Sequence, residues 1–171
     1  MLCEDAAQER FLVKLCRRRW GRLPDRVQAA PCGLGSAANW VLKQYPAQVG
    51  LSRQKRHERV ALIVMIDGNT EGLRARKRAL ARALAQAGLE ARSRSERIAL
   101  CVPTRNIETW LQAANEAPGV DEGADYKSDW RRREAADRGA TGSALDQPIT
   151  AGSSIALPSW HDALRELERL D

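Results

Sequence analysis

Asp67 and Asn69 stand at the end of an apolar run, Val60-Ala61-Leu62-Ile63-Val64-Met65-Ile66, with Gly68 between them. Glu4 follows Met1-Leu2-Cys3, and Glu108 follows a second apolar run that Pro103 stops. Oxygen donors of this kind, with no histidine or thiolate beside them, suit Mg²⁺ or Mn²⁺. Such an ion neutralises phosphate charge and activates water for phosphodiester cleavage. Arg105, in the same segment as Glu108, has the fork and reach to hold a phosphate. Plainer roles exist for each. Asp67 and Asn69 can serve the turn at Gly68. Glu108 can be a helix-start carboxylate held by the dipole, and Glu4 an exposed terminal residue.

These residues act together only if the fold brings them together. The run ending at Ile66 lacks the alternation of a half-exposed strand, so it reads as a strand over 60–66 buried on both faces of a parallel sheet. The C-terminal ends of such strands are where open α/β sheets place ligands. Helical spacing of Phe11, Leu12, Leu15 and Cys16 predicts a helix over 5–20, with Arg17, Arg18 and Arg19 near its C-terminus and Gly21 and Pro24 ending it. A short strand is expected over 26–30. The Pro31-Cys32-Gly33-Leu34-Gly35-Ser36 turn then caps a helix carrying Trp40, Val41 and Tyr45, which stops near Pro46. Residues 48–59 read as a helix extension or a loop. A helix over 71–87 carries Leu73, Leu80, Leu84 and Ala87 on one face, with Gly88 as a left-handed cap. Arg74, Lys77, Arg78 and Arg82 lie off that stripe, on a solvated face. A strand over 98–102 precedes a helix that starts near Thr104 and carries Ile107, Trp110, Leu111 and Ala114.

Beyond residue 115 the composition shifts to Ala, Gly, Asp, Arg and Ser, and 141–154 reads as a loop. A last helix is expected from Ser159, with Asp162 as a capping-box variant and a stripe of Leu164, Leu167 and Leu170 that docks back on the domain. If Met1 to Cys3 ends a first strand, Glu4 marks its rim. The alternation of helices and strands predicts a three-layer α/β domain with a mainly parallel sheet over 1–115 and an extension over 116–171.

A chain of 171 residues is one domain, or one with an elaboration. Its net charge of +6 and pI of about 9.5, mostly from arginine, favour an anionic partner, nucleic acid first. Trp130 with Arg131, Arg132 and Arg133 can offer stacking and phosphate contact, or can be a solvated turn or helix end. The Gly33 to Ser36 loop can present N–H groups to a phosphate, though a simple turn explains it as well. Cys3, Cys16, Cys32 and Cys101 form no CxxC pair, and His57 and His161 are the only histidines, which argues against zinc. Cys16 and Cys101 fall in apolar patterns and are expected in the core. With no long apolar span or leader pattern, a cytoplasmic protein with reduced thiols and no membrane association is expected.

The order of motifs resembles the TOPRIM domain of topoisomerases, primases and overcoming-lysogenization-defect nucleases. That family carries a glutamate after its first strand and Asp-x-Asp after its third. Cys3-Glu4-Asp5-Ala6-Ala7-Gln8-Glu9-Arg10-Phe11-Leu12 is similar to the first motif, and Met65-Ile66-Asp67-Gly68-Asn69 to the second. Pro103-Thr104-Arg105-Asn106-Ile107-Glu108-Thr109-Trp110-Leu111 resembles a segment of small bacterial TOPRIM-like proteins, often encoded beside an ATPase in phage-defence loci. The resemblance covers roughly residues 1–115. It implies a Rossmann-like (TOPRIM) fold and a metal-dependent nuclease working with an ATPase. Glu4 would be general base or metal ligand, Asp67 the principal ligand, Asn69 and Glu108 secondary ligands, and Arg105 a phosphate contact. Two departures stand out: Asn69 is neutral where the family has a second acid, and only three residues precede Glu4. The alternative is a catalytically degenerate module that binds nucleic acid or docks a partner. A more distant one is a nucleotide-binding regulatory domain using the Gly33 to Ser36 loop.

Overall fold

A computed structural model describes residues 1–33, 35–115, 119–137 and 156–171. The strands are β1 (Leu2–Cys3), β2 (Gln28–Ala29), β3 (Leu62–Met65) and β4 (Ile98–Cys101); they form one sheet in the order β2-β1-β3-β4, every pair parallel. The described helices are α1 (Ala6–Trp20), α2 (Ala37–Gln54), α3 (Gly72–Gln86), α4 (Ile107–Asn115), α5 (Lys127–Asp137) and α6 (Pro158–Leu167). This is an α/β architecture of Rossmann-like type.

Alternation along each strand divides the core into two halves. Leu62, Val64 and Ile66, with Ile98, Leu100 and Val102, pack against Val41, Tyr45 and Val49 of α2 and Leu80 and Leu84 of α3. Ile63 and Met65, with Ala99 and Cys101, face the other way and meet Phe11 and Leu12 of α1, Trp110 of α4 and Trp160 and Leu167 of α6. Both faces of β3 and β4 are therefore covered, which is why these strands read as unbroken apolar runs. Phe11, Trp110 and Trp160 meet at tilted or edge-on angles with centroids 5.2–6.2 Å apart, a favoured aromatic geometry. Burial on this face pushes the Cys16 thiol up and the Cys101 thiol further up, so both are inert core residues.

Several boundaries depart from the sequence reading. Pro46 does not stop α2, which runs on to Gln54. Its missing N–H costs one bond, but Val41, Tyr45 and Val49 continue the stripe that covers the sheet, and that burial carries the helix through. Ser159 is not the cap of α6. Leu157 holds that position with no side-chain cap bond, Pro158 occupies the first turn, and the Ser159 hydroxyl accepts from Trp110 Nε1 at 2.8 Å. Lys77 is not free on a solvated face, since it bridges to Asp162 and Glu166 of α6. Ala87 is exposed rather than part of the stripe. Helix α5 was not foreseen at all. The predicted 141–154 loop and the Arg133 side chain lie outside the described residues.

Candidate functional site

The strand order makes a switch point. The chain leaves β1 toward β2 on one side and returns to β3 on the other, so connections diverge between β1 and β3. Ligands of open α/β sheets bind at the carboxyl ends of the strands flanking such a point. Glu4 follows β1 and Asp67 follows β3 by two residues, so the two acids stand on either side of it.

They are joined directly. Glu4 Oε1 accepts the Asp67 N–H at 2.6 Å. The Gln8 side chain completes the bridge: its Oε1 accepts the Glu4 N–H at 2.9 Å and its Nε2 donates to Asp67 Oδ1 at 2.8 Å. Gln8 is aimed there because Asp5 caps α1, accepting the Gln8 N–H at 2.9 Å, and fixes that helix's first turn at the rim. Asp67 Oδ1 also accepts the Ile107 N–H at 3.1 Å, so the carboxylate sits on the N-terminus of α4. Arg76 Nε donates to the Asp67 carbonyl at 2.9 Å and holds the end of β3 to α3. Asp67 Oδ2 faces Lys127 Nζ at 3.4 Å.

Gly68 is required for this closeness. A Cβ there would lie 2.2 Å from the Thr104 carbonyl oxygen and 2.8 Å from that of Pro103, both backbone atoms that cannot swing aside. The Gly68 N–H donates to Pro103 O and the Asn69 N–H to Arg105 O, at 2.9 and 2.8 Å, stitching the β3 and β4 exits together. Asn69 takes a left-handed backbone, φ 53°, a conformation that Asn tolerates better than most residues.

Glu4, Asp67 and Glu108 are all buried, at 9%, 1% and 7% exposure, so Glu4 is no exposed terminal residue. Burial is the main cause that raises the carboxyl pKa of each, and for Asp67 repulsion from Glu4 adds to it. Asp67 and Glu108 are each pushed up to about 7, the effect of burial outweighing the Lys127 ammonium. Lys127 itself is raised: burial lowers it, but Asp67 and Glu108 raise it more. Groups this perturbed, facing one another at a sheet's rim, are the kind found at functional sites.

The structure thus places Glu4, Asp67 and Glu108 at one rim. Asn69 is anchored there through its main chain. The Arg105 guanidinium reaches Asp125 at 3.6 Å. Arg131 and Arg132 lie on the exposed side of α5, where Arg132 pairs with Asp129 one turn away. Trp130 is buried to 4% exposure, so it offers no stacking platform beside them. Gln8, Arg76 and Lys127 were missed by sequence reasoning. The Asp5-x-x-Gln8 capping spacing was a legible signal for Gln8; Arg76 and Lys127 carried none.

The donor set fits a hard divalent cation in kind: three carboxylates in a low-dielectric pocket, and one oxygen, Glu108 Oε2, buried without a hydrogen-bond partner. In the present arrangement Lys127 holds the charge balance. Among the described residues no three Asp, Glu, His or Cys side chains stand close enough to share one ion. No protein-family model, no curated protein and no solved structure matches the chain.

Proposed function

We propose that this chain is a TOPRIM-like hydrolase that cleaves phosphodiester bonds of DNA or RNA with Mg²⁺ or Mn²⁺, in the bacterial cytoplasm and beside an ATPase partner in phage defence. The observation that supports it is the meeting of Glu4 and Asp67 across the β1/β3 switch point, 2.6 Å apart through the Asp67 N–H, with buried Glu108 electrostatically coupled to them. Glu4, Asp67 and Glu108 would hold the metal, with Asn69 as a neutral donor. When bound, the ion supplies charge neutralisation and a nucleophilic water. Burial raises the proton affinity of Glu4, which suits it to take a proton from attacking water as general base. Gln8 fixes the orientation of Glu4 and Asp67, and Arg105 at the same rim is the cation for the scissile phosphate.

A second reading, a catalytically degenerate module that binds nucleic acid or docks a partner, is favoured by the neutral Asn69 and by the lysine set against Asp67. One experiment separates the two. Purified protein is incubated with Mn²⁺, which tolerates imperfect ligand sets, and single- and double-stranded DNA and RNA. Cleavage that Asp67→Ala abolishes is the expected result. Cleavage undiminished in that variant refutes the assignment of the site. Binding without cleavage under any metal, with a steep salt dependence, establishes the degenerate module.

A further inference from the structure

We propose that Lys127 is the built-in cation of this carboxylate cluster, and that a divalent ion enters only by displacing its ammonium group from Asp67. The inference rests on the metal-dependent reading above and assigns that site its regulation.

The first turn of a helix is where a cation is least favoured by the macrodipole. Lys127 is the first residue of α5, yet its ammonium stays at the sheet's rim, 3.4 Å from Asp67 Oδ2. The carboxylates hold it there. The backbone beneath it is fixed by ties that do not involve Asp67. Asp125 Oδ1 accepts the Lys127 N–H at 3.0 Å and Asn106 Nδ2 at 2.9 Å, while Glu122 accepts the Thr104 hydroxyl and the Ser159 N–H, each at 2.7 Å. Only the side chain needs to move. Its stem is flexible and its exposure is 34%, against 1% for Asp67, so water lies open to the displaced ammonium.

The lysine also balances the site incompletely. It faces Asp67 but leaves Glu108 Oε2, buried at a residue 7% exposed, without any donor. A divalent ion carries twice the charge of the lysine, enough to serve both acids. Two cations in one low-dielectric pocket repel, so occupancy is exclusive. Lys127 therefore acts as an internal competitor that sets how much metal the site requires.

The test measures Mn²⁺ binding to the full chain by titration calorimetry, for wild type, Lys127→Met and Lys127→Arg. Lys127→Met should bind at least about tenfold more tightly than wild type, because removing a competing charge acts as adding ligand charge does. Lys127→Arg should bind no more tightly than wild type. In the wild type, Mg²⁺ should raise the reactivity of Lys127 toward an amine-labelling reagent, read by mass spectrometry, relative to Lys43 and Lys55. Equal Mn²⁺ affinity in wild type and Lys127→Met, with labelling unmoved by Mg²⁺, overturns the competition and leaves the metal site standing. No Mn²⁺ binding in any form removes the metal reading and the competition with it. Should Lys127→Met fail to fold, the labelling of the wild type alone decides.

Discussion

Asp67 is a carboxylate with three donors and little water, and its ionisation is costly all the same. Two neutral donors and a lysine at 3.4 Å do not repay the loss of solvent and the nearness of Glu4. The consequence for stability has a definite sign. Asp67 and Glu108 have ordinary values of 3.8 and 4.5 and folded values of about 7. Across that window the folded chain keeps protons that the unfolded chain has released. Stability from these two groups is full below the unfolded values and is lost as pH rises through the folded ones, by at most about 1.4 kcal/mol per pH unit per proton. Urea unfolding between about pH 4 and pH 8 should show this decline. Asp67→Asn should flatten it, and an unchanged slope in that variant would place the titrating groups elsewhere.

At the scale of elements, α6 is held to the sheet by charge as well as by Trp160 and Leu167. Glu166 receives both Arg92 amino groups, Lys77 at 3.2 Å, Arg169 at 3.3 Å and the Leu100 N–H of β4 at 3.3 Å. Burial alone would raise the Glu166 carboxyl, but the Arg92 and Lys77 cations overcome this and hold it at about 2. Because the folded value lies below the unfolded one, its stabilisation is present above about pH 4.5 and lost as pH falls toward 2. Glu166→Gln leaves Arg92 half-compensated at 13% side-chain exposure and should cost about 3 kcal/mol in urea unfolding at neutral pH. The same variant should lose less stability than wild type on acidification. A neutral outcome in both measurements would mean that apolar packing alone seats α6.

For the whole molecule the relevant quantity is the charge of +6 and its placement. Among the described residues no helix is long and apolar enough to cross a membrane. Arg131 and Arg132 project from α5, the helix that also brings Lys127 to the acidic rim. An exposed basic face beside the cluster suits a polyanion laid across it. Binding of a short duplex, followed by fluorescence anisotropy, should weaken steeply with salt, with a log–log slope near −0.9 per phosphate neutralised. The double variant Arg131→Glu, Arg132→Glu should reduce the magnitude of that slope by about 2 without changing the urea midpoint. A slope equal to wild type would move the nucleic-acid path off α5.

Much of the frame was legible in the sequence. Buried strands announced themselves as apolar runs at 60–66 and 98–102, and Asp67 and Glu4 were recognisable as rim residues because acids end those segments. Such signals are local: periodicity, breakers and caps act within a few residues of one another. The partners of Asp67 are not local. Gln8 lies 59 residues away, Ile107 40 and Lys127 60. They meet because the sheet is ordered β2-β1-β3-β4 and because α5 docks at that rim, neither of which any local pattern encodes. Pro46 and Trp130 were misread for a related reason. A helix breaker inside α2 and an aromatic among arginines are judged locally as a stop and a stacking surface, whereas burial against distant segments decides what each one does. The sequence by itself determined which residues are acidic and where strands end. Only the tertiary structure decided that those ends converge and that a lysine stands among them, because desolvation and charge pairing arise between segments brought together by folding.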